Sequence, residues 1–121
     1  MSDGGWRLRE ASAFDAVFRG NRFRVSSQAF LLLAMANNLE QSRLGLVIAK
    51  KHVKLATQRN RAKRVIRENF RRHFNDYSPC IDLIVLARAG VNTRDKSELN
   101  QQIATLMEKL GQQIHRQGSD V

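Results

Sequence analysis

At 121 residues with 42% hydrophobic content, the chain can bury one core and is too short for two. Its 21 Lys and Arg against 11 Asp and Glu leave a net charge of +10, and that excess on so apolar a chain excludes a disordered polybasic tail. The longest apolar run, Ala29 to Ala36, is eight residues where a bilayer needs about twenty, which excludes an α-helical membrane span.

From the N-terminus, Met1 to Arg7 shows no apolar stretch behind a positive region, so no secretory signal is expected and the location expected is cytoplasmic. Residues 1–7 read as a frayed end. Ser12 to Gly20 reads as a short helix, with Ser12 placed to cap it, Gly20 placed for a left-handed stop, and Phe14, Val17 and Phe18 on its apolar face. Three strands are expected next: Arg22 to Ser26, Ala29 to Ala36 and Leu44 to Ala49, with a polar turn at Asn37 to Ser42. A second helix is expected from about Thr57 to Phe74, closed by Asn75 to Pro79. Ile81 to Ala89 is apolar almost throughout and suits a strand buried on both faces. Leu99, Ile103, Leu106, Leu110 and Ile114 recur at helical spacing and place a last helix over Lys96 to Ile114, with 116–121 as a second frayed end. The order αβββαβα predicts an α+β sandwich, helices over a four-stranded sheet, in a single domain over 1–121 with an ordered core of about 6–115.

The charge is concentrated. Between Lys50 and Arg72 lie ten basic residues and one acid, Glu68, so nine of the ten net positive charges fall in that stretch. A block of one sign fits a polyanion, nucleic acid before an anionic membrane surface, better than it fits a solvated face of mixed sign. On the second helix Ala62, Val65, Ile66, Asn69, Phe70, His73 and Phe74 form one apolar stripe. The side opposite collects Asn60, Arg64, Arg67 and Arg71, with Arg61, Glu68 and Arg72 on one flank and Lys63 on the other. Lys50, Lys51 and Lys54 lead into it. Arginine suits this role because its planar fork donates bidentately to phosphate and base edges.

Chemistry-bearing clusters are missing from the pattern. Cys80 stands alone, and His52, His73 and His115 have neither zinc-ligand spacing nor a motif-like carboxylate partner. The acids are scattered singly, against a protein metallonuclease. No second helix sits a few residues from the basic one, as a DNA-binding helix-turn-helix requires, so DNA is not the expected partner.

The stretch from Leu44 to Arg71 strongly resembles the signature of the bacterial ribonuclease P protein subunit. The core of the resemblance is Arg59-Asn60-Arg61 followed by Lys63, Arg64 and Arg67, after the Lys50-Lys51 pair. Arg7-Leu8-Arg9 with Phe14, Val17, Phe18 and Gly20 is similar to that family's N-terminal pattern. The resemblance covers about Trp6 to Ile114. It implies a two-layer αβββαβα sandwich like a domain of a small-subunit ribosomal protein, with a left-handed βαβ crossover. It implies a protein that binds the catalytic RNA of ribonuclease P and, in a cleft, the single-stranded 5′ leader of precursor tRNA. Mg2+-dependent hydrolysis would belong to the RNA, with no catalytic residue, metal or cofactor on the protein. Carried onto this sequence, Lys50, Lys51, Lys54, Arg59, Asn60, Arg61, Lys63, Arg64, Arg67 and Arg71 would bind RNA. Phe14, Phe18 and Phe30 would line the leader cleft between the first helix, the basic helix and the open sheet face. Phe30 is the only aromatic on the second strand, where Leu31, Leu32 and Leu33 are aliphatic. A structural RNA-binding protein of ribosomal type is the alternative.

Overall fold

The structure is a computed structural model that describes residues 6–77 and 79–119. Residues 1–5, 120 and 121 of the expected frayed ends, and Ser78 of the expected turn, lie outside the described residues. The elements run α1 (Ala11–Gly20), β1 (Phe23–Ser26), β2 (Phe30–Ala36), β3 (Arg43–Val47), α2 (Ala56–Phe74), β4 (Ile81–Ala87), a 3-10 helix (Ala89–Thr93) and α3 (Lys96–Ser119). The sheet order is β1-β2-β4-β3, antiparallel except for β3 beside β4, which are parallel and joined through α2.

Side-chain alternation divides the core in two. Phe30, Leu32 and Ala34 of β2 and Leu83 and Val85 of β4 face α2 and α3, which bring Val65, Ile66, Phe70, Leu99, Ile103 and Leu110 onto them. On the other face Leu33 and Ile84 meet α1 through Val17, joined by Leu8 and the half-buried Phe14. β4 is buried on both sides except at the half-buried Leu86, much as its continuous apolar run predicts.

Several boundaries differ from expectation for local reasons. Ser12 does not cap α1, which begins after an extended Glu10 with no side-chain cap. Gly20 is not a left-handed stop, since no described glycine has positive φ. Instead Asn21 closes the helix by donating its side-chain amide to the carbonyls of Val17 and Phe18 at 3.0 and 3.2 Å. Asp95 caps α3, its carboxylate accepting from the Glu98 backbone while the Glu98 carboxylate accepts from the Asp95 backbone. Helix α3 runs on through Ser119, so 116–119 is not frayed.

Each sheet edge is covered at one residue. Leu8 donates its N–H to the Leu44 carbonyl at 2.9 Å, and Arg7 bridges to Leu44, so the arm 6–8 is seated on the β3 edge rather than frayed. At the β1 edge the Gln113 side chain accepts from the Arg24 N–H and donates to the Arg24 carbonyl.

Candidate nucleic-acid interface

The connection between β3 and α2 is a fixed platform. His52 and Val53 both donate their N–H to the Ala49 carbonyl, and Val53 is fully buried beneath the turn. Asn92 of the 3-10 helix donates to the His52 carbonyl at 2.7 Å, and Gln58 donates to the Asn92 carbonyl at 3.2 Å. Arg59 reaches back along its own helix to donate to the carbonyls of Val53 and Lys54 at 3.0 and 2.8 Å. One guanidinium nitrogen of Arg59 is therefore committed to the connection, so this residue holds the platform as well as adding charge to it.

Lys50, Lys51 and Lys54 stand exposed on the platform, and Asn60, Arg61, Arg64 and Arg71 stand along α2, with Lys63 beside them; Arg61 and Arg71 are exposed, while Lys63 is half-buried. Thr57, Asn60, Arg61 and Arg64 line a hollow of about 290 Å3 together with Lys96 from the start of α3. Lys96 joins the basic face only through the packing of α3 against α2, and no local pattern in the sequence marks it. Arg67 departs from the expected ridge. It is half-buried, and it faces the arm and β3, sharing a cavity with Trp6, Leu8 and Leu44. A helical wheel places it toward solvent because the arm that covers it comes from the far end of the chain.

Among the described residues the ion pairs number one, and it lies elsewhere: Arg43 donates through two nitrogens to Asp82 at 2.9 and 2.7 Å. Asp82 is buried and also accepts from the Asn37 amide at 2.9 Å. Arg43 is held charged to still higher pH than usual, first by its hydrogen bond to Asp82. The cations of α2 have no such carboxylate partner among the described residues, so their field extends into solvent.

The second candidate surface is a groove of about 530 Å3 on the sheet face that α1 covers only in part. Leu31, Val47 and Leu86 line its apolar part, with Lys51, His52 and Arg88 bringing nitrogen donors to it. Three expectations are corrected here. Phe30 is fully buried among the residues under α2 and α3, because alternation along β2 turns it to the helix side and turns Leu31 to the groove. Helix α2 does not wall this groove, because it packs on the opposite face of the sheet, and only the connection ahead of it reaches the lining. Phe14 is half-buried in the α1 packing, while Phe18 is 43% exposed; neither lines the groove.

Among the described residues no three His, Cys, Asp or Glu side chains come together to hold a metal ion, and no helix is long and apolar enough to cross a membrane. The His73 ring is spoken for, its Nδ1 lying 2.9 Å from the Asn69 carbonyl.

The family model Ribonuclease P matches residues 4–111. The chain is 47% identical over 104 residues, 86% of its length and 76% of the relative's, to the ribonuclease P protein component of Pseudomonas aeruginosa, and 46% identical to that of Pseudomonas paraeruginosa. Its fold is similar to the RNase P protein of Thermotoga maritima, solved with 1-(4-fluorophenyl)-2-thiourea, at a TM-score of 0.71 and 30% identity over 84% of this chain and 96% of that one. The Staphylococcus aureus RNase P protein superposes with a TM-score of 0.74 at 24% identity, covering 85% and 93%. With the model match running over most of the chain and the relatives well above 30% identity, the chain belongs to the ribonuclease P protein family.

Proposed function

We propose that this chain is the RNA-binding subunit of a ribonuclease P ribonucleoprotein, acting in the cytoplasm. Its α2 face holds the catalytic RNA, and its sheet-face groove holds the 5′ leader of precursor tRNA. The supporting observation is the set of cations with no carboxylate partner among the described residues, on the connection, on α2 and at Lys96, and an apolar groove with nitrogen donors beside the connection. Cations that follow a backbone, beside a surface that accepts base faces, hold a single strand with little preference for its sequence. Leu31, Val47 and Leu86 offer aliphatic rather than aromatic surface, so the leader is held more by Lys51, His52 and Arg88 than by stacking.

The described residues supply no metal-ligand cluster. In this reading the Mg2+ and the hydrolysis that releases the leader belong to the RNA, and the protein contributes binding and charge screening. The test is to mix the chain with a ribonuclease P RNA at low Mg2+ and follow precursor tRNA. Cleavage at the mature 5′ end that depends on the protein supports the reading. Cleavage by the RNA-free polypeptide, or none with both present at any Mg2+ concentration, overturns it.

A further inference from the structure

At the β3 edge the arm brings the chain's one tryptophan against the C-terminal half of α2. The guanidinium carbons of Arg7 and Arg71 lie over the Trp6 indole, 5.1 and 5.5 Å from its centroid, inside the roughly 6 Å at which cation–π attraction acts. Trp6 is half-buried and borders two cavities. One, of about 230 Å3, is lined also by Ser42, Phe70, Arg71 and Phe74. The other, of about 200 Å3, is lined also by Arg7, Leu44, Leu46 and Arg67. Among the described residues the buried Arg67 Nε has no hydrogen-bond partner, so a donor has been taken from water and left unused. Neither cavity shares a lining residue with the sheet-face groove.

Packing alone explains why Trp6 anchors the arm. It does not explain an unpaired guanidinium donor, two further guanidiniums drawn onto one indole, and two cavities that the indole borders. An indole and planar cations, with no carboxylate among the described residues lining either cavity, together recognise a nucleobase with its phosphate: bases stack on indole and guanidinium planes, and guanidinium nitrogens donate to phosphate or base-edge oxygens. A cavity smaller than the 300–1,000 Å3 or so of drug-sized pockets suits one ring system and excludes a duplex.

We propose that Trp6, Arg67 and Arg71 form a second nucleotide site that takes one unstacked nucleotide from a loop or bulge of the catalytic RNA. The base adds a layer to the indole–guanidinium stack, and the Arg67 guanidinium, whose side chain lines the cavity, donates to the same nucleotide. The proposal rests on the reading of α2 as an RNA-binding face and extends that face to the N-terminal arm.

Because Trp6 is the only tryptophan, the site reports its own occupancy. The full chain is titrated with ribonuclease P RNA while binding is followed separately by filter retention. Trp6 emission is expected to be quenched in step with binding, and inorganic polyphosphate, which carries charge without bases, is expected to leave it unchanged. Trp6→Leu is expected to weaken RNA binding about thirtyfold, the middle of the range for one stacked base, with Trp6→Phe recovering most of the loss. The quenching needs no variant, so it decides the matter even if Trp6→Leu folds poorly. Tight RNA binding with unchanged emission, or equal quenching by polyphosphate, overturns the site and leaves the RNA-binding reading standing. Failure to bind RNA at all overturns both.

Discussion

The ring of Phe14 lies against the backbone of Gly45: a Cβ placed on Gly45 would stand 2.7 Å from the Phe14 Cζ and 2.9 Å from its Cε2. This contact seats α1 on β3, and it requires a residue without a side chain on that strand. Gly45→Ala must push the ring aside or bend the strand, at a cost of about 1–3 kcal/mol. Urea unfolding of the two proteins checks it; equal midpoints would show that α1 is not held by this contact.

Arg59 and Arg61 are two positions apart and do different jobs. Arg59→Ala removes a donor from the carbonyls of Val53 and Lys54 and is expected to cost about 1–2 kcal/mol of stability. Arg61→Ala, at an exposed position, is expected to change stability by no more than about 0.5 kcal/mol. Thermal melts of both variants separate the two roles.

Replacing Arg61 and Arg64 together by Glu is expected to abolish tight assembly with ribonuclease P RNA while the fold persists. Neutral replacement by Gln should make the slope of log affinity against log salt shallower by about 0.9 for each phosphate no longer neutralised. Lys96→Gln is expected to lower the slope in the same way, which a salt titration by filter binding would show.

Guanidinium groups and Mg2+ both screen phosphate repulsion, so the protein is expected to lower the Mg2+ concentration needed for cleavage by the RNA. A Mg2+ titration of precursor tRNA cleavage with and without the chain measures this, and coincident curves would remove the charge-screening role.

Tyr77 is the only tyrosine, and burial raises its phenol pKa above the usual 10.0. Its hydroxyl donates to the Gly111 carbonyl at 2.8 Å. A raised folded-state pKa means that the native protein holds the proton more tightly than the unfolded chain. Its contribution is therefore complete below about pH 10 and is lost as pH rises through the folded-state value. Phenolate absorbance in the native protein is expected to appear at higher pH than in the urea-unfolded chain.

The element order, the apolar stripe of α2 and the doubly buried β4 were legible because periodicities of 3.6 and continuous apolar runs survive in a single sequence. Phe30 was not, because an apolar run with no alternation does not say which of its two faces a helix will cover. The groove residue Leu31 sits one position away for that reason. The wheel ranked the α2 cations by angle alone, so it could not foresee that Arg59 would turn back to the Lys54 carbonyl or that the arm would cover Arg67. The 3-10 helix, with Gly90 pressed against the Gln28 carbonyl, carries no periodic signal, yet its Asn92 helps fix the platform on which the lysines stand. The signature motif was read from residue identity, and its orientation came only from the fold.

The Gln113 amide on Arg24 and the arm on Leu44 also bear on the protein before it meets its RNA. A twisted ribbon plugged at Arg24 on one margin and at Leu44 on the other leaves neighbouring copies a shorter row of peptide groups on which to polymerise. On a chain of net charge +10 the same two plugs add to the mutual repulsion that discourages edge-to-edge pairing of copies.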